Sequence, residues 1–174
     1  MTEDKRSPLH AWHEAHGAET MWEDGYPWTM HEGRDPLEEY EAVRTGTGIW
    51  DLFSTCKYEV TGPDAALSIQ RRFTNTVDGT QPGQVRYGAF VNADGSMVDD
   101  GNVYRFAEDR FWVMINTAAL QDWFGDTASD LDARVEHRTD DLADDRRPGP
   151  HLAAHAATAG RWRPRGAEVL PVLA

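Results

Sequence analysis

Two adjacent aspartates, Asp99 and Asp100, sit inside a stretch whose residues alternate in character, and they are the first candidates for chemistry in the chain. In a β-strand successive side chains leave opposite faces, so each carboxylate goes to a different face. The neighbours Val98, Val103, Tyr104 and Phe111 mark one face as packed against a core. One of the two acids therefore points to a covered or concave surface. A carboxylate there is costly unless it has partners or a task. Pattern alone leaves two readings open: an acid placed for proton transfer, or an edge pair that blunts aggregation. A second constellation is His10, His13 and His16. Three imidazoles could hold a metal. Spacings of three and six drift around a helix, however, and no carboxylate–His pair is set as in known helical zinc motifs, so no metal is expected. The one cysteine, Cys56, excludes an internal disulfide and reads as a small apolar filler.

The elements that must hold these residues follow from the pattern of apolar positions. Ser7 and Pro8 open a helix running to Gly17. Residues 18 to 35, rich in Trp, Tyr, Gly and Pro, read as an ordered aromatic loop. Pro36 to Arg44 is a second helix, broken by Thr45-Gly46-Thr47-Gly48. That glycine pair is a poor dinucleotide fingerprint, since it follows a helix and lacks a third glycine. Ile49 to Leu52 and Lys57 to Thr61 read as short strands. Pro63 begins a helix that reaches about Phe73. Val85, Tyr87, Ala89 and Val91 alternate as a half-buried strand does. Asn92-Ala93-Asp94-Gly95 is hairpin chemistry. Met97 to Phe106 and Arg110 to Asn116 complete an antiparallel meander. Ala118 to Leu131 reads as a helix. The fold class is α+β, an antiparallel β-meander with packed helices.

Charge and composition narrow the function. The chain has 174 residues, with 17 Lys+Arg against 30 Asp+Glu, for a net charge of −13. That balance argues against nucleic acid and against a polybasic dock on anionic lipid. Hydrophobic residues make up 40%, with 7 Trp, which is too apolar for a disordered chain. The acids are mostly Asp and the bases almost all Arg, as in a protein of a salty cytoplasm or of a GC-rich genome. No apolar run approaches the roughly 18 residues that span a bilayer. Met1-Thr2-Glu3-Asp4 lacks the pattern of a signal peptide. The expected location is cytoplasmic.

A series of short motifs then falls in order: Leu37 to Asp51 (L-E-E-Y-E-A-V-R-T-G-T-G-I-W-D), Val60-Thr61-Gly62-Pro63-Asp64-Ala65 and Thr74-Asn75. These are followed by Pro82-Gly83-Gln84, Tyr87, Asn92-Ala93-Asp94-Gly95, Val98-Asp99-Asp100, Val103-Tyr104 and Asn116-Thr117-Ala118. The series resembles the N-terminal part of the glycine-cleavage T-protein (aminomethyltransferase) family over roughly residues 8 to 143. The resemblance implies the first part of the folate-binding T-protein fold. It also implies tetrahydrofolate-dependent transfer of an aminomethyl or methyl group from a small-molecule donor, with tetrahydrofolate as cofactor. It makes Asp100 the catalytic acid or base and places Tyr87, Tyr104 and Asn116 in the folate site. Tyrosine offers a stacking face and a hydroxyl, and Asn a paired donor and acceptor. Asp51-Leu52-Phe53-Ser54-Thr55-Cys56-Lys57 departs from the family's D-V-S-H-M-G-E, and Trp22 to Trp28 lacks A-G-W-E-M-P. Both lean toward a donor such as a methylated amine or an ether.

Residues 1–143 are thus expected to form the N-terminal part of an aminomethyltransferase folate-binding domain, and 144–174 a tail outside the family pattern. Reading Asp144 through Leu152 one base later permits M-I-A-V-Q-G-P-T-S, which fits the family's next strand. The tail is accordingly expected to come from a shifted reading frame and to be poorly ordered, and transfer by the chain alone is expected to be impaired. The alternative is a non-catalytic folate-binding fragment, or a split subunit completed by a separately encoded second half.

Overall fold

A computed structural model describes residues 5–23, 25–117, 120–142 and, for the backbone alone, 145–146. The expected tail 144–174 lies outside the described residues apart from that dipeptide, as do residues 118–119 at the start of the expected fourth helix. The chain divides into two compact units.

The first unit contains the described residues up to Ser54 together with those from Asp140. Helix α1 (His10–Ala15) is followed by a hairpin of β1 (Glu19–Glu23) and β2 (Tyr26–His31). The hairpin corrects the expected loop over 18–35. Trp22 pairs with Pro27 and Met21 with Trp28, and Gly25 at φ +82° supplies the left-handed residue that the turn requires. Helix α2 (Pro36–Thr45) begins as its sequence dictates: Pro36 at the first position, and Asp35 capping through a 2.9 Å bond from the Leu37 amide. Strand β3 (Trp50–Asp51) pairs with β9 (Asp145–Arg146). Asp51 is the hub of this unit. Its Oδ2 accepts from the Ser7 hydroxyl and lies 2.9 Å from His13 Nε2, while its Oδ1 accepts from the Phe53 amide at 3.0 Å.

The second unit runs from Thr55 to Thr139. It contains β4 (Cys56–Thr61), α3 (Ala65–Gln70), β5 (Val85–Val91), β6 (Met97–Ala107), β7 (Arg110–Ile115), α4 (Gln121–Ala128) and β8 (Arg134–His137). The five strands form one antiparallel sheet in the order β5-β6-β7-β4-β8. The expected meander is therefore present as β5-β6-β7. Strand β4 adds beside β7, and β8, which the sequence pattern did not signal, closes that side. The outer edge of β5 is not left open: Val91 donates to Arg72 O, and Thr74 donates to Ala89 O at 2.9 Å.

One face of the sheet is apolar. Phe90, Val103, Phe111, Val113, Ile115, Cys56, Tyr58 and Val60 line it and pack on Ile69, Phe73 and Phe124. Phe124 meets Tyr58 at 4.9 Å and Phe90 at 5.5 Å between ring centroids, within the range where aromatic pairs attract. Among the described residues no helix is long and apolar enough to cross a membrane.

Burial pushes the Tyr58 phenol up, and charge on Cys56 adds to it. In the unfolded chain the phenol ionises near pH ~10; in the folded chain it stays protonated well above that. Above this pH the folded state binds one more proton than the unfolded state, so stability falls as pH rises. Tyr58 is thus expected to remove about 1.4 kcal/mol per pH unit beyond the unfolded value, with nothing lost below it. Urea melts from pH 9 to 11 check this: Tyr58→Phe must flatten the alkaline decline, and parallel curves would refute it.

Candidate functional site

The residues that matter lie on the long strand β6, and the ladder fixes which face each takes. Gly88 pairs with Gly101, Ala89 with Asp100, and Tyr87 with Asn102 across β5 and β6. On the other side Asn102 pairs with Met114, and Tyr104 with Trp112. Directly paired residues share a face, and the period is two. Tyr87, Ala89, Asp100, Asn102, Tyr104 and Met114 therefore share the face opposite the apolar core. Asp99 and Gly101 belong to the core face.

The two aspartates have divided roles. Asp99 is buried, and its oxygens are taken up by the chain. Oδ2 accepts from the backbone amides of Asn116 and Thr117 at 3.0 and 2.8 Å. Oδ1 accepts from the Asp100 amide at 2.7 Å and from Asn116 Nδ2 at 3.1 Å. A buried carboxylate is tolerable with that many donors. Asp99 thereby ties the start of β6 to the chain leaving β7. Asp100 is half-buried on the opposite face, where Tyr87 donates its hydroxyl to Oδ2 at 2.5 Å. Its Oδ1 has no protein partner among the described residues.

Of the expected site residues, the structure brings Tyr87 onto Asp100 directly. Asn75 Nδ2 steadies the Tyr87 backbone by donating to its carbonyl at 3.1 Å. Tyr104 shares the face, four positions along β6 from Asp100. Asn116 lies at the end of β7, with Nδ2 3.3 Å from the Asp100 carbonyl as well as bonded to Asp99. Its amide hydrogens are thus both committed, and the paired donor and acceptor expected from its type reduces to an acceptor. Asn102, which sequence reasoning passed over, stands between Asp100 and Tyr104 on the same face. The strand period that separated Asp99 from Asp100 also predicts this position.

Glu59 on β4 is a further buried carboxylate, but it is neutralised in place. Arg110 Nε reaches it at 2.6 Å and Arg138 Nη1 at 2.8 Å. The three N-terminal histidines are not gathered. His13 lies between Asp51 and Glu32, His10 faces Glu14, and His16 stacks on Trp12 at 4.0 Å. Among the described residues no group of three or more His, Cys, Asp or Glu converges as a metal site.

Known proteins resemble this chain. A probable aminomethyltransferase of Halobacterium salinarum is 38% identical over 146 residues, which is 79% of this chain and 40% of that protein. The sarcosine oxidase subunit alpha of a Corynebacterium strain is 33% identical over 149 residues, 78% of this chain and 15% of that protein. This chain thus spans about two fifths of the first and a smaller part of the second. The glycine cleavage system aminomethyltransferase T of Bartonella henselae superposes with a TM-score of 0.76 at 24% identity, over 90% of this chain and 44% of that one. The expected α+β class, an antiparallel sheet with packed helices as in the first part of the T-protein fold, is the one observed. The family model described as the GCVT N-terminal domain matches residues 9–154, and the chain belongs to that family.

Proposed function

We propose that the Asp100 face is part of a tetrahydrofolate site, at which an aminomethyl or methyl group passes from a small-molecule donor to folate. The observation that carries this reading is the carboxylate of Asp100: half-buried, braced by Tyr87 on one oxygen, and open on the other. The residues present fit such a ligand. Tyr87 and Tyr104 offer flat faces for a heterocycle, and Asp100 Oδ1 and Asn116 Oδ1 offer acceptors for its N–H groups. Tetrahydrofolate, when bound, supplies the nitrogens that accept the one-carbon unit. The chain's own contribution is to orient that ligand and to hold or release a proton at Asp100 Oδ1. The likeness to a protein named as a subunit supports a second reading, in which the chain binds folate without turning over and works with a separately encoded partner.

Titrating tetrahydrofolate into the chain, followed by tyrosine and tryptophan fluorescence, tests the site. Saturable quenching is expected. No binding up to millimolar ligand would overturn both readings, and stoichiometric binding without transfer would select the second.

A further inference from the structure

We propose that Asp78 is a site of spontaneous backbone modification, at which the folded chain converts to isoaspartate, while the fold protects Asp94 and Asp100, each of which also precedes a glycine. The reaction is an internal condensation. The amide nitrogen of the following residue attacks the aspartate Cγ and gives up its proton, and one carboxyl oxygen departs as water. A five-membered succinimide results. Water then opens the ring. Where the bond from nitrogen to the original backbone carbonyl breaks, the chain runs on through Cγ as isoaspartate. Nothing is oxidised or reduced. The step needs a carboxyl free to shed oxygen, an amide engaged with nothing else, and backbone free to bring the two together. A following glycine favours it, having no Cβ and a wide choice of φ and ψ.

Among the described residues the aspartates that precede a glycine are Asp78, Asp94 and Asp100, and they differ in all of these respects. Asp78 and Gly79 form the exposed tip of a turn, which the Thr80 amide closes by donating to the Val77 carbonyl at 3.1 Å. Among the described residues neither the Asp78 carboxylate nor the Gly79 amide takes part in a hydrogen bond. Gly79 has φ +76°, and a Cβ built on it meets nothing within 4 Å. At the hairpin turn both reacting groups are occupied. Asp94 Oδ1 accepts from the Ser96 amide at 3.0 Å and from the Ser96 hydroxyl at 2.7 Å. The Gly95 amide donates to the Asn92 carbonyl at 3.0 Å. The Ser96 bonds also hold the Asp94 carboxyl below the usual carboxylate range, which thins the protonated form that sheds water. Asp100 takes the Tyr87 hydroxyl on Oδ2, and Gly101 sits in the ladder between Gly88 and Ile115. Ring closure there requires the strand pairing to open first. The product at position 78 bears on the fold. It puts one more methylene into the backbone between Val77 and Thr80, both buried, and the Thr80 carbonyl accepts from Arg105 Nη1 on β6 at 2.7 Å.

Ageing the full chain in warm neutral buffer, followed by tryptic digestion and electron-transfer mass spectrometry, tests this. Asp78 falls in the peptide 73–86, and Asp94 and Asp100 fall together in 87–105. Isoaspartate at 78 is expected to exceed that at 94 and at 100 by roughly tenfold or more, the factor that one hydrogen bond's worth of restraint puts into a rate. The same peptides aged after digestion carry no fold and should convert at all three positions at similar rates. Ser96→Ala, at an exposed position, removes the hydroxyl from Asp94 and should raise conversion there severalfold while leaving position 78 unchanged. Conversion at 94 or 100 in the folded chain as fast as at 78 overturns the proposal. So does an unmodified Asp78 in the folded chain under conditions where the free peptide converts, and so does a Ser96→Ala chain in which conversion at 94 stays at the parental rate.

Discussion

Replacing Asp100 by Asn is expected to lower folate-dependent one-carbon transfer by roughly 10²- to 10⁴-fold, the usual contribution of one positioned acid or base. The substitution leaves the volume of the side chain nearly unchanged. An amide can still offer its oxygen to the Tyr87 hydroxyl, which now donates to Asp100 Oδ2 at 2.5 Å. The outward atom then becomes an NH2, which donates where the carboxylate accepted and cannot take up a proton. The sheet should not notice. Asp100 faces away from the apolar core, and the bond it takes from Tyr87 on β5 is one that an amide oxygen keeps, so stability should stay within about 0.5 kcal/mol of the parent. Tyr87→Phe supplies the graded control. It removes the brace but not the acid, and a loss nearer tenfold is expected. The readout is one-carbon-loaded tetrahydrofolate formed from an aminomethyl or N-methyl donor, beside a urea melt of each variant. A variant lacking the Asp100 acid that transfers at the parental rate would remove this residue from the chemistry.

What was legible in the sequence, and what was not, follows from where information is local. Strands β5 and β6 announce themselves by alternation, the trace of a half-buried strand, and β7 by its run of aromatic and β-branched residues, which is buried on both faces. The same period separated Asp99 from Asp100. The β1–β2 hairpin carries no such trace: Met21, Trp22 and Met30 are 50%, 44% and 58% exposed, while the neighbours Tyr26 and Pro27 are both buried, so burial does not alternate and the aromatic content reads as loop. Strand β8 was missed for a related reason. Of Arg134, Val135, Glu136 and His137, Val135 is the one apolar residue, and the strand exists because β4 offers it a ladder. The Asp99 clamp was invisible on other grounds. Its partners Asn116 and Thr117 lie 17 and 18 residues away, and only folding brings them within hydrogen-bond distance. Hence the sequence shows that Asn116 has a donor and an acceptor, but not that the donor is spent inside the protein.

The pairing of Gly101 with Ile115 leads to the largest expected loss of stability among simple substitutions near the site. A Cβ built on Gly101 would lie 2.0 Å from the Met114 carbonyl oxygen and 2.8 Å from Ile115 Cγ2. The first contact is with backbone, and that carbonyl cannot retreat without opening the β6–β7 ladder. Space, not backbone conformation, is the reason for glycine here. Gly95 is the opposite case: its φ of +85° favours glycine in the hairpin turn, while a Cβ there meets nothing within 4 Å. Gly95→Ala should therefore cost about 1 kcal/mol through backbone strain alone. Gly101→Ala should cost about 3 kcal/mol, the upper range for forcing atoms into a packed interior. That is a large fraction of the roughly 5–15 kcal/mol that holds a domain together. The damage should also be directional. Gly101 follows Asp100, and Ile115 precedes Asn116, so prising β6 from β7 pulls on the bonds between Asp99 and Asn116. Tetrahydrofolate affinity is then expected to fall in Gly101→Ala even below the denaturant concentration at which the sheet melts, whereas Gly95→Ala keeps its affinity. Urea melts paired with ligand titration separate the two. Equal midpoints for the two variants would show that the close approach of β6 and β7 is not what makes glycine necessary at position 101.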